Sequence, residues 1–336
     1  MAKTGVLLIN LGTPDDPSVG KVRKYLFQFL NDPRVIDLPW LARAILVNLI
    51  IVPFRSFGSS KIYKELWTDR GSPLLFHGEK VRDMLQVELG SRFQVELAMR
   101  YGQPSIPSVL RRMRKENYKK LILVPMFPQY ASASNGSAME AAMREIASWW
   151  VIPELAVVSQ FHNDSLYLEA FAERGRQYDI ASYDHVLFSY HGLPIRHVDK
   201  VYGETPCSDH NCEHELNEDN KYCYKATCFA TTRALAEKLN IPREKYTVCF
   251  QSRLDRNWLE PFSDKVVEDQ AKQGAKRLLV FSPAFVADCL ETTVEIGSEY
   301  VEIFEEHGGH ELQLVESLND HPLWVQSLKE MVLARA

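Results

Sequence analysis

The sequence lacks several features that mark large functional classes. No G-x-G-x-x-G turn follows the first apolar segment, where LGTPDDP stands instead, and this argues against a dinucleotide site. No block of Lys and Arg occurs, and the net charge is −5, so nothing favours a nucleic-acid partner. An anionic substrate would therefore need local Arg or Lys side chains, because the overall field does not attract it.

Long uninterrupted apolar runs are also absent. The longest apolar stretch, LPWLARAILVNLIIVPF at 38–54, contains Arg43 and Asn48 and has a proline near each end. About 13 residues lie between the prolines, fewer than the roughly 20 that a membrane-spanning helix needs. A buried core helix and an interfacial helix or apolar pocket lip both agree with this pattern. The first residues, MAKTGVLLIN, lack the parts of a signal peptide, which indicates a cytoplasmic protein, with peripheral membrane contact as an open alternative.

The composition is that of an ordinary globular protein. The 336 residues are 46% hydrophobic and 25% charged, enough for one large or two medium α/β domains. Continuous apolar runs of four to seven residues indicate strands buried on both faces of a parallel sheet. Patterns typical of helices separate these runs, over 19–32, 78–90, 108–118, 137–150, 166–178 and 230–240.

Internal similarity divides the chain into two halves. VLLINLGTP at 6–14 resembles VLFSYHGLP at 186–194 and aligns Leu11 with His191. Two further pairs follow in the same order, 119–129 with 275–285 and 95–104 with 248–257. We therefore predict two similar Rossmann-like halves, 1–170 and 171–336, each a parallel four-stranded sheet flanked by helices, with a cleft between them.

An imidazole and a row of carboxylates are expected at the carboxyl ends of strands, where ligands bind in such sheets. His191 ends the run VLFSYH, and in VADCLETTVEIGSEY the residues Glu291, Glu295 and Glu299 are spaced by four, after Asp288. An α-helix would place these glutamates on one face. A bonded core histidine and a solvated helix face are the simpler interpretations. Together, however, these groups suit the passage of a divalent cation and of protons.

Large apolar side chains recur at the matching strand ends. Each alone is better explained as a core position, but their recurrence favours a deep apolar cleft, with walls from Leu11, Tyr101, Phe127, Tyr130, Trp258 and Phe285. Metal insertion into a tetrapyrrole is one reaction that needs such a cleft together with a proton acceptor, because the pyrrole nitrogens must lose two protons.

The chain resembles the ferrochelatases in the stretches LLINLGTPDDP, GSPLLFHGEK, MRYGQPS, PMFPQYASASNGS, LFSYHGLP and FVADCLETTVEI, which occur in the family's order from residue 5 to about 300. The resemblance implies insertion of Fe²⁺ into protoporphyrin IX with release of two protons. It implies that His191 is the active-site histidine and Glu291 its partner carboxylate, both close to the substrate iron. His191 is either the first proton acceptor or an iron ligand.

Further roles follow from the same resemblance. Asp288, Glu295 and Glu299 would form a metal or proton path, and the segment 38–54 a pocket lip that touches membrane in some members. The implied porphyrin contacts are Leu11, Ser72, Arg100, Tyr101, Tyr130, Trp258 and Phe285. Alternatives are a related chelatase for coproporphyrin III or another metal and tetrapyrrole, and a non-catalytic porphyrin or iron–sulfur sensor. No pattern specifies the oligomeric state.

Four of the six cysteines lie in a polar insertion, 205–228, with the spacing C-x4-C-x10-C-x4-C, at Cys207, Cys212, Cys223 and Cys228. Disulfides are disfavoured in a cytoplasmic protein, so four thiols in one loop indicate a metal centre. Zinc sites more often use C-x2-C pairs, and the wider spacing favours a [2Fe–2S] cluster, with zinc and then free or redox-active thiols as the alternatives.

Other possible ligands in the insertion are His210 and His214. Animal ferrochelatases place one cluster ligand in the loop where this chain has Ala133, so the arrangement here is a separate one. The remaining two cysteines, Cys249 in YTVCFQ and Cys289 beside the glutamates, are expected to be small buried apolar residues.

Overall fold

The computed structural model describes residues 3–336, whereas Met1 and Ala2, with which the predicted first half begins, lie outside the described residues. The chain forms two compact units. Unit one comprises the residues up to Phe127 with Ala131–Gln160 and Val325–Ala336, and unit two comprises Pro128–Tyr130 and Phe161–Trp324. The main boundary therefore follows Gln160 rather than residue 170, and the end of the chain belongs to unit one.

Unit one contains a four-stranded parallel sheet in the order β2-β1-β3-β4. Its strands are β1 Thr4–Thr13, β2 Phe93–Gly102, β3 Lys120–Pro125 and β4 Glu154–Val157. The central residues of β1, Val6 to Ile9, have no exposed surface, as expected for a strand covered on both faces.

Helices cover this sheet. They are α1 Val19–Leu30, α2 Trp40–Ile45, α3 Val52–Leu66, α4 Pro73–Leu89, α5 Ile106–Met113 and α6 Ser137–Ile146. The apolar faces of α5 and α6 pack on the strands, with Val109 and Ala142 fully buried in one cluster with Leu7. The helices predicted from apolar periodicity are thus present, and their ends differ by a few residues.

Unit two repeats the same sheet, with strand order β6-β5-β7-β8, again parallel. The strands are β5 His185–His191, β6 Tyr246–Gln251, β7 Arg277–Phe281 and β8 Glu311–Leu314. Each strand holds the position of the strand four places earlier in unit one. The three pairs of similar segments therefore fall on equivalent strands, and the predicted repeat and fold class are confirmed.

The helices of unit two are α7 Ser165–Gly175, α8 Ile195–Asp199, α9 Tyr224–Lys238, α10 Ser263–Lys272 and α11 Tyr300–Glu306. A π-helical segment, Glu291–Glu299, leads directly into α11. The last helix, α12 Pro322–Leu333, begins in unit two and continues into the terminal segment of unit one.

The glycine shared by the repeated motifs lies against the neighbouring strand in both units. A Cβ atom on Gly12 would lie 1.8 Å from the carbonyl oxygen of Tyr101, and one on Gly192 would lie 2.7 Å from that of Gln251. Neither position has room for a side chain, so glycine is required where the chain leaves β1 and β5.

The apolar stretch 38–54 is not a buried helix between two prolines. A continuous helix of 27 residues runs from Trp40 to Leu66, with the π-helical segment Leu46–Ile51 inside it. The register shift just before Pro53 accommodates the missing N–H of that residue, since the N–H of Val52 bonds five residues back. By length and composition this helix could cross a membrane. Only 17% of its most apolar 18-residue stretch is buried, unlike in a core helix.

Candidate active site

His191 is the last residue of β5, and its imidazole is partly exposed. The ring lies edge-on to two aromatic rings, with centroids 6.5 Å from Trp258 and 6.4 Å from Phe285. Its buried Nδ1 has no hydrogen-bond partner among the described residues. The imidazole therefore stands between apolar walls and keeps a nitrogen available for a proton or a metal ion.

Backbone bonds fix the turn that carries this ring. The N–H of Gly192 donates to the carbonyl of Gln251 over 2.8 Å, and the N–H of Leu259 donates to that of Leu193 over 2.9 Å. The hydroxyl of Tyr224 donates to the carbonyl of His191 over 2.9 Å. The loop after β6 and the start of α9 thus hold the end of β5 from two directions.

Gln251 connects the histidine strand to the segment with the glutamates. It ends β6 directly opposite His191 in the sheet register and is almost fully buried. Its Oε1 accepts the hydroxyl of Ser189 over 2.8 Å. Its Nε2 donates to the carbonyl of Glu291 over 2.9 Å and to the carboxylate of Glu295 over 3.1 Å. One amide side chain thereby bonds the backbone of Glu291 to the strand end that carries His191.

The carboxylate of Glu295 accepts hydrogen bonds from three neighbouring residues. Besides the amide of Gln251, it accepts the N–H and hydroxyl of Ser252 over 2.8 and 2.5 Å and the hydroxyl of Tyr300 over 3.0 Å. Burial, and then the charge of Glu295, raise the pKa of Tyr300, which keeps its hydroxyl a donor. Four donors therefore fix the position of this carboxylate.

The prediction of an α-helical row of glutamates is wrong, because Glu291–Glu299 is π-helical. The N–H at residue 300 bonds to the carbonyl of Glu295, five residues back, and this wider turn changes which side chains share a face. Glu291 and Glu295 both meet Gln251, whereas Glu299 is exposed. Asp288 accepts the side-chain N–H of Asn319 over 2.7 Å and thereby braces a different loop.

In unit one, two predicted porphyrin contacts belong to an internal network around Asp32, which is almost fully buried. Arg100 forms an ion pair with Asp32, and the hydroxyls of Tyr101 and Ser137 donate to the same oxygen over 2.8 and 2.6 Å. Burial acts to raise the pKa of Asp32, but these hydrogen bonds and the charge of Arg100 lower it below the ordinary 3.8. Sequence reasoning missed Asp32 and Ser137, because no local pattern links residues so far apart.

The other predicted positions in unit one differ in their surroundings. The ring of Tyr101 is fully buried against Phe29, with centroids 5.2 Å apart, and Leu11 is half-buried near the end of β1. Ser72 precedes the first residue of α4, and its buried hydroxyl has no partner among the described residues. The same holds for the hydroxyl of Thr13 at the end of β1. The hydroxyls of Ser72 and Thr13 therefore lack the hydrogen bond that a buried polar group usually makes.

Comparison with known proteins identifies the family to which the chain belongs. The family model described as Ferrochelatase matches residues 3–336. The chain belongs to the ferrochelatase family. Curated ferrochelatases resemble it along nearly their whole length: that of Coxiella burnetii (strain CbuK_Q154) is 43% identical, covering 98% of this chain and 93% of the relative, and that of Legionella pneumophila (strain Lens) is 40% identical, covering 98% of each.

Solved chelatase structures share the fold of this ferrochelatase. SirB from Bacillus subtilis with Fe³⁺ superimposes with a TM-score of 0.55 at 11% identity and covers 99% of this chain and 96% of its own. At that identity the likeness shows the fold alone. Family membership gives the chain's class: it is a metal chelatase, a lyase of the haem-synthesis type that inserts metal into a porphyrin.

The cysteine insertion of this ferrochelatase brings three sulfurs together. The Sγ atoms of Cys207, Cys212 and Cys223 lie 3.6–3.8 Å from one another, and all three residues are buried. Hydrogen bonds from the other two thiols lower the pKa of Cys212. Cys228 does not belong to this group and lies inside α9. Of the four ligands predicted from the cysteine spacing, the structure therefore brings three together.

The remaining candidate ligands lie elsewhere. The ring of His210 stacks on that of Tyr202 at 3.8 Å, and its Nε2 meets the hydroxyl of Thr205. Neither His210 nor His214 belongs to the sulfur group. Cys249 and Cys289 are buried single cysteines, as expected.

Replacing Asp32 with Asn should lower the free energy of unfolding by about 3 kcal/mol at pH 7, because it removes the charge that pairs with Arg100. The folded pKa of Asp32 lies below 3.8, so this stabilisation is complete above that pH and is lost as the pH falls through the folded value. Urea unfolding should therefore show a wild-type advantage at pH 7 that shrinks only below about pH 4.

Asp83→Asn is a matched control, since Asp83 pairs with Arg82 on the surface and its side chain is 67% exposed. It should change the free energy of unfolding by less than about 0.5 kcal/mol. If both variants unfold alike, the network around Asp32 does not stabilise unit one.

Proposed function

We propose that this ferrochelatase inserts Fe²⁺ into protoporphyrin IX and releases two protons, with His191 and Glu291 as the catalytic pair. The observation that carries the proposal is the position of Gln251, which lies opposite His191 in the sheet and bonds the carbonyl of Glu291. This position supports the pairing, because the imidazole, with an unpartnered nitrogen and with the rings of Trp258 and Phe285 near it, ends the strand next to the one whose last residue bonds the backbone of Glu291.

Proton removal is the step these residues suit best. A neutral imidazole accepts a pyrrole proton near neutral pH, and His191 is proposed as the first acceptor. Glu291 stabilises the resulting imidazolium and helps to remove the second proton. Glu295 is already bonded by four donors, which hold its carboxylate in one orientation. In the alternative assignment, His191 and Glu291 hold the iron.

The proposed porphyrin contacts are, in unit one, Leu11, Ser72, Arg100 and Tyr101 and, in unit two, Tyr130, Trp258 and Phe285. The buried hydroxyl of Ser72 supports a hydrogen bond to a propionate. Arg100 is paired with Asp32, which makes its effect on the substrate an indirect one. Asp288, Glu295 and Glu299 are proposed as a path for metal or protons, of which Glu299 is the exposed end.

The exposed part of the Trp40–Leu66 helix is proposed as a pocket lip that also contacts membrane lipid. Trp40, Leu49 and Phe54 are 72%, 68% and 76% exposed, an unusual surface unless lipid or substrate covers it. Co-sedimentation with lipid vesicles measures this contact. Six free thiols support a reducing, cytoplasmic compartment.

The cysteine insertion is proposed to hold a thiolate-bound metal centre, with a [2Fe–2S] cluster as the form favoured by four cysteines in one loop. Buried thiolates suit either a cluster or zinc. Zinc is the second candidate for a specific reason: tetrahedral bonds of about 2.3 Å would separate the sulfurs by about 3.8 Å, close to the spacing found. A cluster would need Cys228 as fourth ligand and a wider triad.

Replacing His191 with Ala tests the catalytic assignment. Haem formation from Fe²⁺ and protoporphyrin IX should fall by about 10² to 10⁴-fold, the usual contribution of a proton acceptor, while porphyrin binding by fluorescence quenching stays unchanged. His185→Ala is the matched control, because His185 begins the same strand and bonds Thr247 at its other end; its turnover should equal that of the wild type.

Full turnover by His191→Ala would remove this residue from both assigned roles. The wild-type assay is repeated with coproporphyrin III, and we expect a higher kcat/KM for protoporphyrin IX. The opposite order would assign the enzyme to coproporphyrin, and no insertion into either porphyrin would favour a carrier or sensor.

The metal centre is tested on protein purified without oxygen. We expect red-brown protein with acid-labile sulfide equal to its non-haem iron, and loss of both in Cys228→Ala. Stoichiometric zinc without sulfide, retained in Cys228→Ala, would replace the cluster with a single ion bound by the other three cysteines.

A further inference from the structure

Tyr224 lies between the cysteine insertion and the catalytic turn. It is the first residue of α9 and directly follows Cys223, and it is 6% exposed. Its hydroxyl donates to the carbonyl of His191 over 2.9 Å. One residue thus joins a member of the sulfur group to the backbone of the proposed proton acceptor.

The same insertion is anchored to the catalytic turn at a second point. Helix α8 follows that turn, and the carboxylate of its last residue, Asp199, accepts the N–H of Cys207 over 2.8 Å. Shortly afterwards, the hydroxyl of Tyr202 lies 2.9 Å from the sulfur of Cys212. Cys207 and Cys212 therefore contact Asp199 and Tyr202, which follow the catalytic turn closely in the chain. Cys223 is linked to His191 through its neighbour Tyr224.

A third contact reaches a proposed porphyrin-binding residue. The ring of Tyr222, on the other side of Cys223, meets the ring of Tyr130 edge-on with centroids 5.6 Å apart. The residues around Cys223 therefore touch both the turn of His191 and an aromatic side chain proposed to contact substrate.

We propose that Tyr224 is a positioning residue, which fixes the orientation of His191 and makes it depend on whether Cys223 is bound to metal. This inference rests on the proposed role of His191. The insertion is polar and charged, so few apolar contacts order it, and its cysteines supply four of its eight buried residues. Release of Cys223 would loosen the start of α9 and withdraw the hydroxyl of Tyr224 from the carbonyl of His191.

His191 is sensitive to such a shift because it ends its strand. Past this residue the chain leaves the sheet, and the turn is held by the bonds already described. A small displacement of a catalytic group has a large effect on rate. Substrate affinity depends on many other contacts, so we expect the change in kcat rather than in porphyrin binding.

The test is Tyr224→Phe, which keeps the ring and removes one hydroxyl. In the metal-loaded enzyme, kcat should fall about five- to tenfold, as expected for one lost hydrogen bond, with porphyrin affinity and metal content unchanged. The imidazole NMR resonances of His191 should shift. Tyr246→Phe is the matched control, because Tyr246 is a buried tyrosine at the opposite end of β6; it should leave kcat and those resonances as in the wild type.

Dependence on the cysteine centre is tested with Cys223→Ser alone and combined with Tyr224→Phe. If Tyr224 transmits the effect, Cys223→Ser lowers kcat and shifts the His191 resonances in the wild-type background but adds little to Tyr224→Phe. Independent, multiplying effects would overturn the dependence on metal, and unchanged His191 resonances in Tyr224→Phe would overturn the positioning role. The resonances also separate this inference from the proposed function, which fails only if His191→Ala retains turnover.

Discussion

The structure around the active site depends on one buried amide. Gln251 accepts a hydroxyl from the histidine strand and donates to both Glu291 and Glu295. Because an amide carries an acceptor and two donors on one rigid plane, it satisfies neighbours that would otherwise leave buried polar groups unpaired. A hydrophobic residue at this position would leave Glu295 and the carbonyl of Glu291 each one donor short, and Ser252 alone would bond the π-helical segment to the end of β6.

The sheets of the two units have the same topology, but only unit two has a histidine at the end of its first strand. Both have the order in which the first strand lies second from the edge, and both place a glycine against a neighbouring carbonyl near the end of that strand. At the aligned position, unit one has Leu11 and unit two has His191. Unit one instead buries a carboxylate, Asp32, which orients Arg100 and Tyr101. The repeated fold thus supplies two strand ends that serve different purposes.

Strands, sheet type and the position of His191 were predictable, because continuous apolar runs and a repeated motif are local signals. The π-helical turn was not, since a spacing of four agrees with either helix type. No role for Gln251 or Asp32 could be predicted, because each acts through partners more than 30 residues away in the chain. The exclusion of Cys228 from the sulfur group depends on its place inside α9, which spacing alone does not reveal.

The most direct measurement is the turnover of Gln251→Met, which keeps the length of the side chain and removes its hydrogen bonds. If this amide sets the geometry of His191 and Glu291, kcat for iron insertion should fall about 10²-fold, as for a misplacement of about 1 Å, in protein whose circular dichroism and porphyrin binding match the wild type. Turnover within about twofold of wild type in folded Gln251→Met would contradict this central role.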